Sequence, residues 1–159
     1  MQRISKEEYY LKIAEAVVLR GTCKRRNYGA VLVKNDEIVA TGYTGSPRGE
    51  KNCIEDGVCI REQLGCKPGE RYELCTSVHA EQNCLLSASR FEAVGSTLYL
   101  IGVDVASGKF VDARPCKMCK RLLINAGVSE VIARNADGSY TRIDNIRDMD
   151  DNTQVNSNK

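Results

Sequence analysis

The stretch YGAVLVKNDEIVATGY, residues 28–43, constrains the fold of this chain more than any other. Two β-branched runs flank Asn35-Asp36, a dipeptide suited to a tight hairpin turn, so two antiparallel strands are expected. Their residues are apolar on both faces, which assigns them to the interior of a sheet. Before the hairpin, Ser5 and Glu8 form a capping-box pattern, and Tyr10, Ile13, Ala14, Val17 and Val18 recur at helical spacing until Gly21. After it, residues 78–90 read as a helix and 96–103 as a strand. Residues 115–126 follow as a helix that Pro115 opens and Gly127 closes, and 128–134 as another strand. A leading hairpin followed by alternating helices and strands predicts an α/β layered sandwich with a mixed sheet of about five strands.

Two regions lack such patterning. Residues 42–71 are rich in Gly, Pro, charge and cysteine, which predicts a long functional loop with one helical turn near 60–64. A loop of that length needs something to hold it. From Asn145 the text turns polar, so the domain is expected to span 1–144, with 145–159 a tail that is disordered or docks on a partner subunit. A chain of 159 residues suits one domain able to bury roughly two-thirds of its unfolded surface without disulfides.

The partner class is narrowed by charge. With 23 basic and 21 acidic residues, and no run of one sign beyond Lys24-Arg25-Arg26, the chain lacks the basic surplus of a nucleic-acid binder. The start, MQRISKEEYY, has no apolar targeting core, and no stretch approaches the roughly 20 apolar residues of a membrane span, so a cytoplasmic location is expected. In a reducing compartment, eight cysteines point to metal ligands rather than a disulfide framework.

Chemistry concentrates in HAE, residues 79–81, and PCKMC, residues 115–119, each at an expected helix start. Cys116 and Cys119 are three apart, so they share a helical face and suit adjacent corners of a tetrahedron. A helix N-terminus also favours the thiolate form. His79, the only histidine, supplies a third ligand and leaves a corner for water, with Glu81 beside it to carry protons. A CxxC alone also suits a redox pair or half of a structural zinc site, and a lone histidine at a helix start is more commonly structural. A redox pair would leave His79 and Glu81 unused, and a Cys–His nucleophile would leave one thiol unused. H-x-E followed by P-C-x-x-C is the signature of zinc deaminases, in which the glutamate is not a ligand.

Over residues 4–144 the chain resembles the zinc-dependent cytidine and deoxycytidylate (dCMP) deaminase family. The blocks that carry the resemblance are YGAVLVKNDEIVATGYTGSPRG (28–49), VHAEQN (78–83) and RPCKMCKRLLINAGVSEVI (114–132). GYTGSPRG and HAEQN point to the dCMP branch that includes a bacterial competence-operon protein. The resemblance implies a cytidine-deaminase-like three-layer α/β/α sandwich, with zinc on His79, Cys116 and Cys119. It further implies hydrolysis of dCMP to dUMP and ammonia by a zinc-bound hydroxide with Glu81 as proton shuttle, a homo-oligomer, and dCTP and dTTP as effectors in parts of the family. Thr44, Gly45, Ser46, Pro47 and Ala80 would line the nucleotide side of the pocket.

Two departures stand out. Thr44 replaces the usual Asn and loses its bidentate amide, which leaves another cytosine nucleoside, nucleotide or nucleic acid open as substrate. The link 102–113 is longer than in many relatives; Gly108 suggests a turn, and the extra ribbon could cover the pocket or meet another subunit. A zinc-stabilised, non-catalytic accessory protein for DNA uptake is the rival outside enzymes, and Glu81 argues against it. Of the remaining cysteines, Cys84 reads as a small buried residue. Cys23, Cys53, Cys59 and Cys75 bracket the long loop, near positions where some dCMP deaminases hold a second, structural zinc, and Cys66 could replace Cys59.

Overall fold

A computed structural model of the chain describes residues 1–149. Helix α1, Lys6–Val18, starts where Ser5 accepts a hydrogen bond from the Glu8 amide. Strands β1, Arg26–Lys34, and β2, Glu37–Tyr43, form the expected hairpin, with Asn35 and Asp36 at φ 51° and 63° in its turn. The long loop follows, carrying α2, Cys53–Asp56, α3, Ile60–Gln63, and a 3-10 turn at Tyr72–Leu74. Helix α4, Ala80–Leu86, then leads through α5, Arg90–Ala93, to β3, Thr97–Asp104, and the short β4, Phe110–Val111. Helix α6, Lys117–Ala126, strands β5, Glu130–Arg134, and β6, Tyr140–Ile143, and a 3-10 turn at Ile146–Asp148 complete the chain described.

The sheet runs β2-β1-β3-β5-β6, with β4 paired to β3; β3 and β5 are parallel and the other pairs antiparallel. Alternation along the central strands divides the core. Val31, Val33, Tyr99, Ile101 and Ile132 pack against Tyr10, Leu11, Ala14 and Val18 of α1. Ala30, Leu32, Leu98, Leu100, Val131 and Ala133 pack against Ala80 and Cys84 of α4 and Leu123 of α6. The result is the three-layer α/β/α sandwich expected, with Cys84 fully buried. Among the described residues no helix is long and apolar enough to cross a membrane.

Several boundaries differ from expectation. The sheet has six strands because the ribbon supplies the two-residue β4 and the polar YTRI supplies β6, whose exposed face hides any alternation. Burial on both faces holds for β1 but not for β2, an edge strand that exposes Glu37, Ile38 and Thr41. The helix expected over 78–90 is two, because Ser89 caps a new start by accepting from the Glu92 amide. The loop carries two helical turns rather than one; α2 is opened by a capping box between Asn52 and Glu55 and ended by Gly57. Nor does the tail begin at 145: Asn145 caps the last 3-10 turn and Ile146 is buried in the core, so the domain extends past 144. The rest of the tail expectation, 150–159, lies outside the described residues.

On the α1 face, Arg134 is 2% exposed and lies between two carboxylates. Its Nη1 and Nη2 donate to Glu8 at 2.9 and 2.8 Å, Nη2 also donates to Glu15 at 2.8 Å, and the guanidinium lies 5.5 Å from the Phe110 ring. This clamp ties α1 to β5.

Candidate active site

Two helix starts converge on the other face. Gly42 lets α4 lie directly on β2, since a Cβ there would sit 2.4 Å from the Ala80 carbonyl and the Cys84 amide. Val78 pairs with Gly45, Asn83 Nδ2 donates to the Tyr43 carbonyl at 2.8 Å, and the Gln82 side chain accepts from the His79 amide at 2.9 Å. These contacts hold His79 at the cap of α4. Opposite, Ala113 donates its amide to the Arg134 carbonyl and Arg114 Nη2 donates to Asn135, which anchors the run into Pro115 at the end of β5. Cys116 caps α6, its Sγ accepting from the Cys119 amide at 3.4 Å.

The donor geometry fits a metal. His79 Nδ1 lies 3.5 Å from Cys116 Sγ and 3.4 Å from Cys119 Sγ, and the three atoms fall within 4.8 Å of one another. A tetrahedral zinc with ordinary Zn–N and Zn–S bonds separates N and S by about 3.5 Å. The electrostatics ask for the same cation. Cys116 is drawn down to about 4, first by its hydrogen bond with Cys119 and, against the cost of burial, by His79. Cys119 is pushed up through that same shared bond. Two thiols this close hold one negative charge between them unless a positive charge sits beside both.

Glu81 follows one residue into α4 and is 4% exposed. Burial, partly offset by His79, pushes its carboxyl up to about 7. It lines a cavity of about 370 Å³ together with His79, Ala80, Thr44, Tyr28 and Tyr72. Tyr72 meets the His79 ring edge-on at 4.9 Å, and burial raises its phenol to about 12, so it stays neutral.

The expected nucleotide-side residues divide. Thr44 and Ala80 line the cavity, whereas Gly45, Ser46 and Pro47 do not. Thr44 spends its hydroxyl oxygen on the Tyr28 amide at 3.0 Å, continuing the β1–β2 ladder. The ribbon does reach the site, through Asp104 and Ala106. Cys23, Cys53, Cys59 and Cys75 all line the same cavity, but among the described residues no three of the loop thiols lie within 4.8 Å of one another. Unforeseen from the sequence are Tyr72 and Arg61, which also line the cavity; an arginine between Cys59 and Cys66 reads as a solvated charge until its burial is seen.

Comparison with known proteins agrees with this geometry. The family model described as the cytidine and deoxycytidylate deaminase zinc-binding region matches residues 4–135. A deoxycytidylate deaminase of Mycobacterium phage D29 is 35% identical over 137 residues, covering 83% of this chain and 96% of the phage protein. A deoxycytidylate deaminase of Schizosaccharomyces pombe is also 35% identical, over 82% of this chain, but this chain spans only 37% of the yeast protein. The crystal structure of a cyanophage S-TIM5 dCMP deaminase in complex with dCMP and dUMP superposes with a TM-score of 0.55 at 29% identity, covering 81% of this chain and 82% of that one.

Proposed function

The chain belongs to the cytidine and deoxycytidylate deaminase zinc-binding family, and from that premise we propose that it deaminates dCMP to dUMP, with His79, Cys116 and Cys119 as zinc ligands and Glu81 as proton carrier. The observation that carries the proposal is one buried carboxylate beside a three-donor set that leaves a fourth corner open. When bound, zinc supplies Lewis acidity that makes hydroxide available near neutral pH. Glu81 accepts a proton from the attacking water and delivers it to ring N3. Glu81 then takes the proton of the hydroxyl now on C4 and passes it to the amine as the C4–N4 bond breaks, so that the C4 oxygen becomes the uracil carbonyl and ammonia leaves. Thr44 and Tyr28 line the side of the cavity toward β1 and β2. Tyr72, neutral and edge-on to His79, lines the same cavity.

The test is ammonia release from dCMP, CMP, deoxycytidine and cytosine. Turnover greatest on dCMP supports the reading. Turnover only on unphosphorylated compounds overturns the substrate, and none on any overturns the activity.

A second, structural zinc on Cys23, Cys53, Cys59 and Cys75 belongs to the same reading. It is supported by the four thiols lining one cavity. Metal analysis giving two zinc per chain supports it, and one removes it. Homo-oligomerisation is supported by Leu86 and Phe91, 80% and 88% exposed on the α4–α5 side, and is checked by sedimentation. Regulation by dCTP and dTTP rests on the family resemblance and is checked by adding each to the dCMP assay.

A further inference from the structure

A buried guanidinium is ordinarily matched by a carboxylate. Arg61, 8% exposed, makes its direct contacts to neutral groups, and the Glu73 carboxylate reaches it only at longer range. Its Nε donates to the Glu70 carbonyl at 3.0 Å and its Nη2 to the Lys67 carbonyl at 3.1 Å, while the guanidinium stacks 4.8 Å from the centre of the Tyr72 ring. Among the described residues it enters no ion pair: Glu62 next to it pairs with Arg25 at 3.2 Å, and Glu73 pairs with Arg71.

The remaining nitrogen, Nη1, takes no partner among the described residues and is not sealed from solvent. Arg61 lines the catalytic cavity, so a ligand there lies beside its guanidinium. Two carbonyl bonds and an aromatic face hold the guanidinium rigid, the arrangement that makes arginine a directional anion binder. Two steps, 4.8 Å to Tyr72 and 4.9 Å from Tyr72 to His79, place it within about 10 Å of the metal-ligating ring. That is comparable to the reach of one nucleotide from its base to its 5′-phosphate. Of the other cations lining the cavity, Lys24 donates to the Gly57 carbonyl, Arg25 already has a carboxylate, Arg114 donates to the Ala113 carbonyl, Asn135 and Thr141, and Arg26 is engaged as well.

We propose that Arg61 binds the 5′-phosphate of the nucleotide, which supplies the negative charge its buried site lacks, with Tyr72 holding the guanidinium in register. The proposal rests on the reading of the site as one for a cytosine nucleotide. It makes Arg61 a specificity residue, distinguishing a nucleotide from its nucleoside, and leaves the chemistry at C4 to Glu81.

The test is calorimetric titration of dUMP and of deoxyuridine into wild type, Arg61→Met and Arg61→Lys, with circular dichroism checking that each variant is folded. Wild type is expected to favour dUMP by at least about tenfold. Arg61→Met should weaken dUMP by about 10- to 100-fold, the range of a charge-assisted hydrogen bond, and leave deoxyuridine unchanged. Arg61→Lys should recover part of the loss. An equal loss for both ligands, or an unchanged preference, overturns the proposal, because a merely structural arginine cannot tell them apart.

Should neither variant fold, phenylglyoxal modification of wild type followed by peptide mass mapping gives the answer. Protection of Arg61 by dUMP but not by deoxyuridine supports the assignment. Equal protection by both, or by neither, overturns it. Failure of the deaminase reading looks different: no ammonia from any cytosine compound, with the dUMP preference read independently of turnover.

Discussion

Two buried arginines lie on opposite sides of one sheet, and their surroundings differ. Arg134, against α1, has its charge matched within the fold by both Glu8 and Glu15, with Nε alone unpaired. Arg61, on the cavity wall, meets two carbonyls and a ring and no carboxylate. The same contrast separates the two faces of the sheet. The α1 layer buries apolar side chains and one compensated charge cluster. The α4–α6 side buries a carboxylate, paired thiols and an imidazole whose charges balance only with something added. Charge left incomplete inside a protein costs stability unless a ligand or metal completes it, so incompleteness marks the working face.

The contrast breaks most sharply at the metal ligands. Cys119→Ala should lower zinc content by one equivalent per chain and dCMP turnover by more than about a thousandfold. Elemental analysis and ammonia release on one preparation check both. Full activity with a full zinc complement would mean that the face is not incomplete in the sense argued.

Next comes the paired comparison of arginines. Arg134→Met strands two carboxylates and should cost about 3 kcal/mol of unfolding free energy, whereas Arg61→Met loses carbonyl bonds and a ring contact but strands no carboxylate, and should cost about 1 kcal/mol. Urea titration reads both. Equal losses would erase the distinction between a structural and a ligand-facing arginine.

A smaller effect depends on pH. The Arg134 hydrogen bond holds Glu8 below its ordinary value of 4.5. A carboxyl depressed in the folded state adds stability above its unfolded value, and that stability fades as pH falls through the folded one. Glu8 is partly exposed, so Glu8→Gln should cost only about 1 kcal/mol at neutral pH. The gap to wild type should close on acidification below 4.5. A gap that widens there would give the clamp the wrong sign.

How much of this was legible in the sequence depends on how local the signal is. Ser5, Asn35-Asp36 and Gly127 announce a cap, a turn and a stop within a few residues, and each sits where expected. HAE and PCKMC were readable because ligand chemistry and helix starts coincide in both. β6 was not, because YTRI is mostly exposed and owes its place to pairing with β5. The 42–71 loop was read as needing a fastener, and cysteines drew the expectation. The structure shows Arg61 fastening it, with its backbone bonds to residues 67 and 70. Nothing in the linear text distinguishes a buried arginine from a solvated one, since that difference lies wholly in tertiary packing.

The most direct test of the account is Glu81→Gln, compared with wild type at equal zinc content for dUMP formation from dCMP. The side chain that meets Glu81 is the Cys119 thiol, which a glutamine amide of the same shape can also meet, so fold and metal should survive. The account predicts zinc retained and the rate lowered by about 10²- to 10⁴-fold, the share of a general acid–base group. A variant that keeps its zinc and turns over dCMP at the wild-type rate would contradict it.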